Sequence, residues 1–512
     1  MRGGVFSGPA GWVDPSVGYI IQPIGYLVAS DWLHGIIPWW NPYAGLGMPL
    51  AAETQSEAFF LPFVLLLHFN AGWIWLRVIL QALSGVFLYV FLKEIRLAPR
   101  AALMGAALFE FTPEYLLCPS APIAPLPFFP LLLLGIEYAA RASAQGKRGG
   151  WSGIVIACVY SIYAGNPEVA YFDGMLAGLW ALWRFGALQR RQWVPYISKL
   201  AVALLVALCL CAPLLIPASA LAAKAYLGPH DALFRIITMP KNLLALQLFQ
   251  QIYGLFGQPP PAGFSYNLTR LPGWVTVPVL TLALAGLLRG GPVPHRGFRY
   301  ILVAWIIFWQ MRYLGFPPVM WLVNHIPAVA VMDAARYSGP AVDMAFVLLA
   351  ALALDDVSRL PPMRPGRIAL IILLVVGLAA LAVMPNMTFT LSLYKQRPDM
   401  AWISLLAFLL TILCTGFVVN FLRAPIRPIW VILSVLILPL GNFIVPQFSG
   451  LSGGKLDQGV IEFLKQNTGL QRMASTGPFG LNFPDRYGIA SVNYSLLDAA
   501  SGTAAIAGAT RP

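Results

Sequence analysis

From residue 73 onward the chain is a run of apolar stretches near bilayer length, and this pattern constrains the fold more than any motif. The stretches lie at 73–92, 101–117, 123–140, 151–165, 168–185, 195–217, 272–289, 299–316, 339–354, 368–385, 400–422 and 428–446. Each approaches the roughly 17–25 residues with which a helix crosses the hydrocarbon core. Backbone polar groups find no water there, so a crossing segment must satisfy its own hydrogen bonds as a helix. The residues are 59% hydrophobic and 10% charged, against roughly 25% charged in an average soluble domain. The fold expected is an all-α polytopic membrane protein with about 12 transmembrane helices in this chain.

The short connections test that reading. Every second one is basic: Lys93, Arg96 and Arg100; Arg141, Lys147 and Arg148; Arg184, Arg190 and Arg191; Arg289, Arg296 and Arg299; Arg359, Arg364 and Arg367; Arg423 and Arg427. Short loops rich in lysine and arginine stay in the cytoplasm, so the intervening segments are expected outside. Three parts follow: residues 1–57 as a first extracytoplasmic loop, 58–446 as the helical membrane domain with a long outer loop at 218–271, and 447–512 as the start of a C-terminal extracytoplasmic segment. Residues 1–57 contain neither a spanning apolar run nor a signal peptide. A further helix is therefore expected before Met1, making about 13 in a complete protein.

The formal charge of +13 is accounted for by topology-setting loops and does not indicate nucleic-acid binding. Cys118, Cys158, Cys209, Cys211 and Cys414 are scattered, mostly within apolar runs. They form neither a disulfide framework nor a zinc spacing.

Chemistry is expected in the polar, aromatic stretch from Asp14 to Gln55. Pro38, Pro42 and Pro49 with Gly35, Gly45 and Gly47 bend its backbone tightly. Trp39, Trp40 and Tyr43 suit either an interfacial aromatic belt or a platform facing a sugar or lipid. The carboxylates here are Asp14, Asp31 and Glu53, with Glu57 just beyond. Asp14 lies in a polar turn before Pro15, whereas Asp31 sits in a helix-like segment. Glu53 and Glu57 suit the first turn of the next helix, where negative charge is stabilised. Glu110 and Glu114 stand four apart, and a divalent metal would need a third ligand that the sequence does not offer.

The run from Gly35 to Gln55, which contains PWWNPYAGLGMPLAAETQ, resembles the G-x-x-P-x-W-N-P-x-x-x-x-G-x-P-x-x-x-x-x-Q signature of YfhO-like bacterial membrane proteins, in the GT-C superfamily of glycosyltransferases. Tyr163-Ala-Gly-Asn-Pro-Glu168 is similar to that family's A-G-H-P-[EQ] turn, with Asn166 in place of histidine. Ile326-Pro to Arg336-Tyr resembles its I-P-x(n)-R-x-x-x-R-[FY] stretch, with only Arg336 of the two arginines present. The resemblance spans roughly 14 to 355 and implies a GT-C-like bundle in the bacterial inner membrane.

The implied activity is transfer of a sugar from a polyprenyl-phosphate donor to a cell-envelope acceptor on the outer face. The family's general base falls by position on Asp14, with Asp31 as the second candidate. Such transfer needs one carboxylate to take the acceptor's proton, because phosphate leaves without an acid. Arg336 suits the donor phosphate, since a guanidinium contacts phosphate oxygens in a bidentate manner; an ion pair with Asp333 or Asp343 is its other role. Trp39, Trp40, Asn41, Tyr43, Gln55 and Glu168 complete the substrate-binding candidates. No cofactor is implied, and membrane lipids are the other expected partners. The competing readings are a lipid-linked-sugar flippase and an inactive membrane assembly protein.

Overall fold

The computed structural model describes residues 4–7, 21–69, 72–117, 121–223, 235–241, 243–253, 275–290, 293–329, 332–424, 427–448, 452–455, 458–469, 471–474 and 482–492. Within them the regular structure is helical apart from short bridges and one antiparallel pairing, of Gly4–Ser7 with Ser452–Lys455. Among the described residues four helical segments are long and apolar enough to cross a membrane: Gly72–Glu94, Arg190–Ala222, Pro365–Gln396 and Pro398–Arg423. Ser152–Tyr163, Val277–Leu288 and Pro428–Gly441 are shorter apolar helices.

The Gly339–Arg359 helix is the centre. Residues 339–356 are all buried, as expected of a helix that is apolar nearly all round. Val277–Leu288, Arg296–Tyr313 and Pro99–Glu110 pack against it. Small residues permit close approach: a Cβ on Gly286 would lie 2.7 Å from the Leu349 carbonyl oxygen. Between apolar helices in lipid, such close packing supplies much of the attraction.

The basic connections converge on one end. Arg359 Nη2 donates to the Arg96 carbonyl at 2.8 Å, and the Ala98 amide donates to Asp355 Oδ1 at 2.7 Å. Arg299 grips both oxygens of Asp356 with the pair fully buried. Arg184 meets Glu137 at 2.8 Å, and Arg141 pairs with Glu94. Ionic pairs thus tie together loops that the sequence separates by whole helices.

The expected 101–117 stretch is broken. A helix runs from Pro99 to Glu110 and a short one from Glu114 to Leu117. Pro113 lacks the amide proton and disfavours helical backbone at Thr112, which ends the first helix. At this end a second apolar cluster gathers Ile24, Leu50, Phe60, Tyr115, Phe128, Ala164 and Val169. It receives the buried face of the Gln22–Leu33 helix.

Candidate functional site

The first loop is a chain of local turns. Asn41 and Met48 exchange two backbone bonds, at 2.7 and 2.9 Å, and Asn41 Oδ1 accepts from the Tyr43 amide at 2.9 Å across Pro42. Gly47 has φ +99° and lies against the Trp40 indole, where a Cβ would come within 2.7 Å. Single 3-10 turns follow at Leu50–Ala52 and Thr54–Ser56. Glu53 Oε1 caps the second of these through the Gln55 amide, at 3.2 Å.

Glu57 then takes a left-handed backbone, with φ 54°. This corrects the expectation that Glu53 and Glu57 open the next helix, since Gly72 is where that helix starts. The loop's prolines and turns consume the intervening residues. Glu57 is buried, its Oε2 has no hydrogen-bond partner among the described residues, and burial pushes its carboxyl up to about 8.

The second stretch is the turn Tyr163–Glu168. Asn166 Oδ1 accepts from the Val169 amide at 3.0 Å, capping the Pro167–Ala187 helix. Gly165 has φ +82°, and a Cβ on it would lie 2.8 Å from Glu57 Cγ and 3.1 Å from the Thr54 carbonyl. The turn therefore sits directly on the 53–57 loop. Half-buried Glu168 is in the helix's first turn, where the helix dipole favours a carboxylate. Phe59 lies between the rings of Tyr163 at 5.6 Å and Trp39 at 5.5 Å, with Trp32 at 6.4 Å. Trp39 itself is 46% exposed. These rings make an aromatic wall beside Glu57 and Gln55.

The third stretch reaches the same place. Tyr171 donates to the Pro327 carbonyl at 2.9 Å, and Tyr337 packs on the cluster that holds Leu50 and Ala164. Asp333 Oδ1 accepts from the Arg336 amide at 3.2 Å, so Asp333 caps the Ala334–Tyr337 turn. The Arg336 guanidinium lies 5.3 Å from the Tyr337 ring centre.

Other candidates turn elsewhere. Asn41 Nδ2 donates to Asp485 Oδ2 at 2.8 Å, and both residues are buried. Tyr43 and Gly45 exchange backbone bonds with Ser491, at 2.8 and 2.9 Å, while Arg472 Nη2 donates to the Pro42 carbonyl at 3.0 Å. The Arg486 guanidinium stands 4.7 Å over the Tyr26 ring. Arg472, Asp485 and Ser491 thus pack on the first loop. Asp31 is on the last turn of Gln22–Leu33, half-buried, and burial raises its carboxyl against the opposing charge of His34. Asp14 lies outside the described residues.

Behind the loop lies a group of buried acids whose connection sequence reasoning missed. Thr112 Oγ1 is 2.7 Å from both Glu114 Oε2 and Asp343 Oδ2. Asp173, from Pro167–Ala187, is buried, and neither carboxyl oxygen is hydrogen-bonded among the described residues. Glu110 and Glu114 part company at Pro113: Glu110 approaches Gly85, and its carbonyl accepts from Gln81 at 2.9 Å. The only signal in the sequence was the rarity of acids in apolar stretches. Among the described residues no group of three or more His, Cys, Asp or Glu is placed to hold a metal ion.

Comparison with protein-family models, curated proteins and solved structures finds no match to this chain.

Proposed function

We propose that the protein is a GT-C-type membrane glycosyltransferase with about twelve crossing helices in this chain, moving a sugar from a polyprenyl-phosphate donor to a cell-envelope acceptor on the outer face. One observation supports this reading above the rest: the loop ending at Gln55, the Tyr163–Glu168 turn and the Arg336 segment, far apart in sequence, meet around one apolar cluster. Those are the stretches that carry the resemblance.

In this reading Asp14 takes the proton of the acceptor hydroxyl. The freed oxygen attacks the anomeric carbon, and the bond from that carbon to the phosphate oxygen breaks. The polyprenyl phosphate departs with the bonding pair, and Arg336 stabilises its charge. The wall of Trp39, Phe59 and Tyr163 offers the flat apolar surface on which a sugar face stacks. Asp31 is the second candidate base, because a half-buried carboxyl holds protons nearer the working pH than an exposed one.

The test is transfer in membranes containing the full chain, supplied with defined polyprenyl-phosphate sugars and followed by mass spectrometry. Asp14→Asn is expected to abolish product while donor binding persists. Undiminished transfer by that variant would overturn the assignment of the base. The assembly-protein reading draws on Asn166, whose side-chain oxygen is committed to a helix cap where the resembling family has histidine. Donor binding without turnover in the unsubstituted chain would favour it.

A further inference from the structure

Behind the loop, two buried acids from distant parts of the chain meet on one hydroxyl. Thr112 Oγ1 lies 2.7 Å from Glu114 Oε2 and 2.7 Å from Asp343 Oδ2. A threonine hydroxyl has a single hydrogen to donate, so it can satisfy one of these contacts. The other distance is that of an O–H···O bond, and its hydrogen must come from a carboxyl. Two ionised carboxylates would leave one oxygen pair facing each other with no proton between them.

A second observation is independent of that count. Asp173 is 3% exposed, its two oxygens lack a hydrogen-bond partner among the described residues, and it interacts electrostatically with Glu114. An isolated ionised carboxylate is very costly to bury unpaired, and the neighbouring acid Glu114 raises that cost. Other titratable groups acting on it are Tyr115 beside Glu114, and Tyr313, which Glu114, Asp343 and Arg312 all influence.

We propose that Glu114, Thr112 and Asp343 form a shared-proton site, with Asp173 as its second acid, and that this proton ties the Thr112–Leu117 segment to the Gly339–Arg359 helix. The ligand of the site is a proton, and the contact it makes spans 231 residues of sequence. Its loss sets two carboxylates against each other at the place where the segment after the broken helix meets the central one. The segment would then be released while the apolar contact of Pro99–Glu110 with the central helix, Gly105 against Ala351, persists. This inference does not rest on the glycosyltransferase reading.

Infrared spectroscopy of the full chain in detergent tests it. Glu57→Gln with Asp485→Asn serves as the background, so that the two carboxyls of the first loop and its docking residue do not contribute. A carbonyl stretch of a protonated carboxyl, sensitive to deuterium exchange, is expected at neutral pH. Glu114→Gln or Asp343→Asn should remove one such component, and an unchanged carboxyl region in both variants would overturn the proposal. Should those variants fail to fold, Thr112→Val keeps both acids and takes away the bridging hydroxyl. It is expected to shift the component, with Thr112→Ser leaving it in place; no difference between the two would equally overturn it. In hydrogen exchange, residues 112–117 should lose protection as the band disappears at alkaline pH, and protection independent of the band would remove the proton's role as the tie.

Discussion

Asn41 and Asp485 are joined by a buried 2.8 Å hydrogen bond across 444 residues of sequence. The loop that carries the candidate site is thus fastened from the other end of the chain. Asn41 Oδ1 holds the Tyr43 amide while Nδ2 holds Asp485, so one side chain sets both the turn and the docking.

Asp485→Ala leaves the Asn41 amide buried without an acceptor, a loss of about 1–3 kcal/mol. Asp485→Asn keeps a carbonyl oxygen for the same donor and should recover most of it. Thermal unfolding in detergent measures the difference, and limited proteolysis should show faster cleavage within 471–492 for the alanine variant alone.

Stability should fall as pH rises through the neutral range. Burial lifts Glu57 from 4.5 to about 8 and Asp485 from 3.8 to about 7. A folded-state value above the unfolded one means that the folded chain binds the extra proton. The stabilisation is complete below the unfolded values and is lost as pH climbs through the folded ones. Melting temperature is expected to decline from about pH 5 to about pH 8, and Glu57→Gln with Asp485→Asn should flatten the curve. A slope unchanged in the double variant would contradict the assignment.

Gly165→Ala should be among the most damaging small substitutions in the chain. A left-handed backbone costs a non-glycine residue about 1–2 kcal/mol, and the new methyl would lie 2.8 Å from Glu57 Cγ. The Tyr163–Glu168 turn would lift from the loop, and transfer activity should drop with stability. Gly174→Ala, in the next helix with nothing within 4 Å, is the control and should be neutral or mildly stabilising. Parallel denaturation curves of the two variants make the comparison.

At the opposite end, Arg299→Met should cost about 3–5 kcal/mol, because it strands a buried Asp356 carboxylate. The double change Arg299→Met with Asp356→Leu removes the stranded charge and should regain much of the loss. A double-mutant cycle on unfolding in detergent reads the coupling, and additive effects would show that the pair contributes no interaction of its own.

The sequence by itself determined that the chain is helical and apolar, because burying polar backbone away from water leaves helix as the local solution for stretches such as 398–423. It also grouped the basic connections, since charge patterning is local and the ties between Arg359 and Arg96 or between Arg299 and Asp356 follow once those loops share an end. Tight turns around Gly47 and Asn166 were legible for the same reason: their chemistry lies within three or four residues. Tertiary structure alone decided which distant groups meet. Nothing in the spacing of Asn41 and Asp485, or of Thr112, Glu114 and Asp343, foretells a contact, because such pairings depend on how helices are arranged in space. Nor did residues 53–57 announce a left-handed Glu57, or that the Gly165 turn packs against it with a glycine small enough to sit there.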